Sequence, residues 1–260
     1  MSALAGTRVL VTRAAEQAGE IAERLRALGA TVIEAPAIRL VDPPDWQPLD
    51  TALDRLSTYD WIVFTSQNAV PRLLARMRAR DVPEPGLAAS RHAAIGEATA
   101  EALRAHRLRV DLVADEYRAE SVALALGREP LQGKRILIPR ALVAREVLPE
   151  RLRAAGAEVD VTPVYQTVAD PEGAALARRA IAEGVDVVTF TSASTVRGFF
   201  EAIGPARSKL AGVCLASIGP ITSEAIRAEG AVPEVEASPY TVPALVEALA
   251  RHRALRAEDR

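Results

Sequence analysis

Residues 6–126 are written a second time, in altered letters, over residues 133–249. The first copy opens Gly6-Thr7-Arg8-Val9-Leu10-Val11-Thr12-Arg13, and the second opens Gly133-Lys134-Arg135-Ile136-Leu137-Ile138-Pro139-Arg140. Asp60-Trp61-Ile62-Val63-Phe64-Thr65-Ser66 returns as Asp186-Val187-Val188-Thr189-Phe190-Thr191-Ser192. Ile95-Gly96 with Thr99 returns as Ile218-Gly219 with Thr222, and Tyr117 returns as Tyr240. The spacing between copies drifts only from 127 to 123 residues across the half. A duplicated half predicts two similar lobes, with a cleft or a pseudo-symmetric surface between them.

Within each copy, short β-branched runs alternate with longer amphipathic ones. In the first copy the pattern predicts strands over residues 8–12, 31–35, 61–65, 93–95 and 110–113, with helices over 15–28, 49–56, 68–80, 97–106 and 121–126. Ala18, Ile21, Ala22, Leu25 and Leu28 share one helical face, and Gly29 supplies the left-handed residue that ends the helix. The second copy predicts strands near 135–139, 158–161, 186–190, 212–217 and 232–235. Apolar strands alternating with helices specify a parallel sheet covered on both faces. The fold class is therefore α/β, with two flavodoxin-like doubly wound units. Pro36 and Pro163 each follow the second strand of their copy, where proline should interrupt regular structure. The extended pieces Ala37-Ile38-Arg39-Leu40 and Val164-Tyr165-Gln166-Thr167-Val168 read as matched connectors, either ordinary turns or a two-strand hinge.

The 260 residues carry a net charge of −2, which leaves no global basic field for nucleic acid. No apolar run approaches the roughly 18 residues that span a bilayer. The start Met1-Ser2-Ala3-Leu4 lacks the features of a secretory signal, so a cytoplasmic protein is expected. The single cysteine, Cys214, excludes an internal disulfide and sits in an apolar run that marks a buried core thiol. His92, His106 and His252 are widely spaced on stretches that read as surface. No His/Cys/Asp/Glu set has metal-ligand spacing, and no phosphate-binding glycine loop or nucleophile elbow is present. An enzyme with this sequence is expected to work without metal or cofactor.

Hydroxyl groups instead cluster at strand-to-helix junctions, where doubly wound sheets bind ligands. Thr12, Ser66, Asn68, Thr191, Ser192, Ser194, Ser217 and Thr222 stand at or just past these junctions, with Gly96 and Thr99 at the equivalent turn of the first copy. Each hydroxyl alone is explained more simply by helix capping. Four junctions equipped alike form a donor-rich rim suited to a polyanion. Arg13 and Arg140, at equivalent strand ends, either add charge to that rim or are paired internally. Tyr165 breaks the repeat, since its counterpart is Ile38. It is either a packed aromatic or a proton donor beside the connector.

Five stretches together resemble uroporphyrinogen-III synthase. They are Val9-Leu10-Val11-Thr12-Arg13, Phe64-Thr65-Ser66-Gln67-Asn68-Ala69-Val70, Val164-Tyr165-Gln166-Thr167, Phe190-Thr191-Ser192-Ala193-Ser194-Thr195-Val196 and Ala216-Ser217-Ile218-Gly219-Pro220-Ile221-Thr222. The resemblance implies a cofactor-independent lyase that cyclises hydroxymethylbilane, a linear tetrapyrrole with eight carboxylates, to uroporphyrinogen III. Water is lost and ring D is inverted, in a cleft between the domains. It implies that Tyr165 is the catalytic residue and that Thr99 and Thr222 touch substrate. It also implies an exchange of halves, with residues 1–37 and 168–260 in one domain and 38–167 in the other. The partner expected is the polyanionic tetrapyrrole alone, bound by a monomer in transient contact with the preceding enzyme of its pathway. Two rivals remain at this stage, a non-catalytic two-lobed binding or sensor protein and an enzyme acting on another polyanion.

Overall fold

The computed structural model describes residues 2–114, 126 and 130–258, without the side chains of 257 and 258. The helix expected over 121–126, apart from Leu126, and Tyr117 lie outside the described residues. In chain order the elements are β1 (Arg8–Val11), α1 (Ala15–Ala27), β2 (Thr31–Glu34), β3 (Ile38–Val41), α2 (Gln47–Leu53), β4 (Trp61–Phe64), α3 (Ala69–Ala79), β5 (Arg91–Ile95), α4 (Glu97–Ala105) and β6 (Leu112–Ala114). There follow β7 (Arg135–Ala141), α5 (Val147–Ala154), β8 (Glu158–Ala169), α6 (Pro171–Glu183), β9 (Val187–Phe190), α7 (Ala193–Ile203), β10 (Cys214–Ser217), α8 (Pro220–Ala228), β11 (Val235–Glu236) and α9 (Val242–Glu258). Among the described residues no helix is long and apolar enough to cross a membrane.

The chain divides into two compact units, Met1–Leu40 with Val168–Arg260, and Val41–Thr167. It leaves the first unit within β3 and returns within β8. The first unit holds a five-stranded sheet in the order β11-β10-β9-β1-β2. The second sheet runs β3-β8-β7-β4-β5-β6. Numbered by position within a copy, both sheets contain the order 2-1-3-4-5 of a flavodoxin-like unit. In each, strands 1 and 2 come from one copy and strands 3 to 5 from the other. All the pairings β1–β2, β1–β9, β9–β10, β10–β11, β4–β5, β4–β7, β5–β6 and β7–β8 are parallel.

The same aspartate holds the crossed copies together in both units. Asp186, just before β9, accepts a bond from the Arg8 amide at 2.8 Å and donates its own amide to the Arg8 carbonyl at 2.9 Å. Asp60, just before β4, does the same to Arg135, at 2.9 Å in both directions. Each carboxylate thus fixes the first residue of a strand contributed by the other copy. Lys134 Nζ also lies 2.7 Å from Asp60 Oδ1, and this bond, with the Arg135 amide, holds the Asp60 carboxyl below the usual carboxylate range. A carboxyl whose folded pKa is depressed stabilises the fold above its unfolded value, about 3.9, and loses that contribution as pH falls through the folded one. Replacing Asp60 by Asn should therefore lower stability at neutral pH and flatten its decline below about pH 4, read from melting curves across pH.

Alternating residues of the first sheet enter two different cores. Val9, Val11, Val187 and Ala216 pack on one face with Ile21 and Leu25 of α1 and Leu245 and Leu249 of α9. Leu10, Val188, Phe190 and Leu215 pack on the other with Phe199 and Phe200 of α7 and Ile226 of α8. This is the period-2 consequence of a sheet covered on both sides. In the second unit Trp61, Val63, Ile136 and Ile138 pack with Leu148 and Leu152 of α5.

Two readings of the sequence need correction. Pro163 does not end its strand. β8 continues through it to Ala169, because the register with β7 shifts between Arg140 and Ala141 and Pro163 falls at that irregularity. A bulge removes the need for a ladder N–H, which proline lacks. His92 is not a surface residue. It is buried in β5, with Nδ1 2.8 Å from the Arg109 carbonyl and Nε2 3.1 Å from that of Leu87. Arg140 stands at its strand end as expected, the next-to-last residue of β7.

Candidate functional site

In the first unit the residues in question gather where β1, β9 and β10 give way to loops and helices. Thr12 follows β1 and is fully buried, with Oγ1 donating to the Thr189 carbonyl at 2.8 Å, so its hydroxyl ties β1 to β9. Arg13 is half-buried and donates through Nε to Gln17 Oε1 at 3.3 Å. Burial pulls its guanidinium down from the ordinary arginine range, and Glu20 opposes the pull. Ser192 caps α7 in a capping box with Thr195, and its Oγ is 2.9 Å from that of Ser194. Thr191, Ser192 and Ser194 all remain partly exposed. Ser217 Oγ is wholly buried, accepting from the Gly219 amide at 3.2 Å and donating to the Gly219 carbonyl at 2.8 Å. That loop presents the start of α8, where Pro220 occupies the first turn and Thr222 is 4% exposed. Gly219 is close-packed, since a Cβ there would lie 2.9 Å from the Tyr240 ring.

In the second unit the equivalent edge is built differently in detail. Ser66 Oγ accepts from the Asn68 amide at 3.2 Å, while Asn68, at the N-cap of α3, makes no side-chain cap bond. Ser66 thus bonds the amide of the N-cap residue rather than a helix amide, and of the two serines only Ser192, in the other copy, caps its helix. Gly96 precedes α4 with φ 75, a left-handed backbone that favours glycine, and Thr99 is 4% exposed in the first turn of that helix. Arg140 is buried, donating Nη1 to the Arg145 carbonyl at 2.9 Å and Nη2 to the Glu146 carboxylate. Its charge is therefore matched inside the fold, the second of the two readings its sequence position allowed.

Tyr165 sits on β8 just past the irregularity, opposite Ala141, and its carbonyl accepts from the Leu142 amide at 2.8 Å. The residue is 6% exposed, and its hydroxyl has no hydrogen-bond partner among the described residues. The Arg72 guanidinium of α3 lies 5.9 Å from the ring centroid, within cation–π range. Arg72 Nη1 is 3.3 Å from Asp42 Oδ1, and Gln166 Nε2 donates to the Asp42 carbonyl at 3.1 Å. Arg72 and Asp42 gave no signal in the sequence, because their relation to Tyr165 depends on how α3 and the segment after β3 flank β8.

The N-termini of α3, α4, α7 and α8 each present a positive dipole end with hydroxyls beside it. The molecule is thus a two-unit doubly wound α/β protein whose strand-to-helix edges are lined with hydroxyl groups.

The uroporphyrinogen-III synthase HemD family model matches residues 19–247, and the chain belongs to that family. A uroporphyrinogen-III synthase of Synechococcus elongatus is 34% identical over 95% of this chain and 95% of its own length. In fold, the chain is similar to a mutant uroporphyrinogen III synthase of Thermus thermophilus, with a TM-score of 0.68 at 20% identity, covering 96% of this chain and 100% of the other. It is also similar to uroporphyrinogen-III synthetase of Helicobacter pylori, with a TM-score of 0.60 at 19% identity, covering 95% and 99%.

Proposed function

We propose that this chain is a uroporphyrinogen-III synthase, closing hydroxymethylbilane to uroporphyrinogen III with loss of water and inversion of ring D. The observation that carries the reading is the full-length similarity to the Synechococcus elongatus enzyme. The strand-end edges, rich in hydroxyls and helix amides, fit it chemically.

The chemistry asks little covalent work of a protein. The electron-rich pyrroles expel the terminal hydroxyl and supply the attacking carbon. The protein must hold the carboxylates, bring the two ends together and help the hydroxyl leave as water. Helix N-termini at Gly96, Ser192 and Gly219 hold carboxylates through main-chain amides, aided by Ser66, Asn68, Thr99, Thr191, Ser194 and Thr222. Thr12 and Ser217, whose hydroxyls are spent inside the fold, shape the loops rather than touch substrate. Arg140 likewise positions the segment that carries Arg145 and Glu146, while Arg13 contributes positive charge at the first edge. Tyr165 is the proton donor to the departing hydroxyl, and its O–H, which has no partner among the described residues, is available for that task. The linear substrate closes uninverted when left alone, which favours handover to a monomer by transient contact with the enzyme that makes it.

The test is consumption of hydroxymethylbilane by the purified protein. Cyclisation at least about 100-fold faster than spontaneous closure is expected, within the reach of positioning and acid catalysis. Tight binding without acceleration would instead describe a binding protein.

A further inference from the structure

We propose that Cys214, Glu234 and His252 form a zinc site at the amino-end edge of the first sheet. The three residues are far apart in sequence, which is why no ligand spacing was visible there. Folding brings one ligand atom of each within 4.8 Å of the others. Cys214 is the first residue of β10, Glu234 directly precedes β11, and His252 lies on α9.

The donor set is one that zinc selects. A thiolate, an imidazole nitrogen and a carboxylate oxygen are its three common protein ligands, and a water completes the tetrahedron. Metal–ligand bonds of about 2.0–2.3 Å place neighbouring ligand atoms roughly 3.3–3.8 Å apart. His252 Nε2 already lies 3.6 Å from Glu234 Oε2. That nitrogen is buried and has no hydrogen-bond partner. A buried, unsatisfied imidazole nitrogen is uncommon enough to need a reason, and a metal supplies one. Arg256 Nη2 is 2.6 Å from the same Glu234 oxygen. When Oε2 turns to metal, the ion pair with Arg256 can pass to Oε1. Binding releases the thiol proton to solvent, so thiolate and carboxylate together balance the dication.

Ser217, at the other end of β10, belongs to the ligand edge and is three residues from Cys214, about 10 Å along an extended strand. The zinc site is therefore separate from the catalytic edges. It would pin α9 to the sheet, as a staple rather than a reactant.

The experiment titrates metal-free protein with Co2+ and then Zn2+. One equivalent of Co2+ should give the visible bands of a tetrahedral ion with a thiolate charge-transfer band. One equivalent of Zn2+ should displace it and raise the melting temperature. Cys214→Ser and His252→Gln should each weaken binding at least about 100-fold. Because His252 is only part-buried on a surface helix, His252→Gln keeps the test valid if the core cysteine variant fails to fold. Absence of a thiolate band, or binding that His252→Gln leaves unchanged, overturns the proposal.

Discussion

Tyr165→Phe should lower turnover at least tenfold while leaving the Michaelis constant within about threefold and the melting temperature nearly unchanged. The expectation follows from where the side chain sits. Its ring is buried on β8 beneath Arg72, and phenylalanine fills the same volume with the same face toward the guanidinium. Among the described residues its hydroxyl has no hydrogen-bond partner, so removing it should orphan no group there. On the proposed reading what is lost is a proton donor, and positioned general acids contribute roughly 10²–10⁴-fold in rate. A fall in turnover without a matching rise in the Michaelis constant marks an interaction made chiefly in the transition state. Steady-state kinetics with hydroxymethylbilane read the effect. Activity within about twofold of the parent would remove Tyr165 from the acid role.

The largest effect on stability is expected at Gly173. A Cβ there would lie 1.9 Å from the Pro36 carbonyl oxygen and 2.8 Å from its carbon. Neither backbone can yield easily. Ala35 and Ala37 donate their amides to Val11 and Thr12 at 3.0 and 2.9 Å, which holds the Pro36 segment against β1. On the other side, Asp170 caps α6 through the amides of Glu172 and Gly173. A second glycine, Gly198 of α7, faces the same segment, since a Cβ there would come 2.9 Å from the Ala37 carbonyl oxygen. Two helix glycines thus make room for the chain just before β3. Gly173→Ala should cost about 3 kcal/mol or more, lowering the melting temperature by roughly 6–12 °C. Gly19→Ala is the contrasting control. It lies mid-helix in α1 with open space around the new methyl, and should stabilise by about 0.5–1 kcal/mol. Equal melting temperatures for the two variants would contradict the close approach.

The sequence exposed those features whose cause is local. Alternating strand and helix periods reproduce β1, α1, β2, β4, α3, β5 and α4 to within about two residues, because each is an amphipathic or buried segment between turn residues. Ser192 as a cap and Cys214 as a core thiol were equally legible. Burial pushes that thiol up to about 12, so without a metal it stays protonated and unreactive.

What escaped notice depends on partners distant in sequence. His92 looks exposed until β5 is flanked by β4 and β6. Pro163 looks like a terminator until the irregularity beside Arg140 relieves it of its hydrogen bond. The importance of Gly173 is invisible, because a helical glycine carries no sign of the carbonyl packed against it. Asp60 and Asp186 were recognised as a repeated pair, but their task emerged only with the strand order. Each fixes a strand from the opposite copy, an exchange that hydrophobic periodicity cannot reveal.

The identity of the cyclic product tests the central claim most directly. Hydroxymethylbilane should be incubated with the protein, and the products oxidised and separated as their porphyrin isomers. The account predicts that nearly all the product formed is the type III isomer, with ring D inverted, against a type I background in the enzyme-free control. Type I product alone, at the rate of that control, would contradict it.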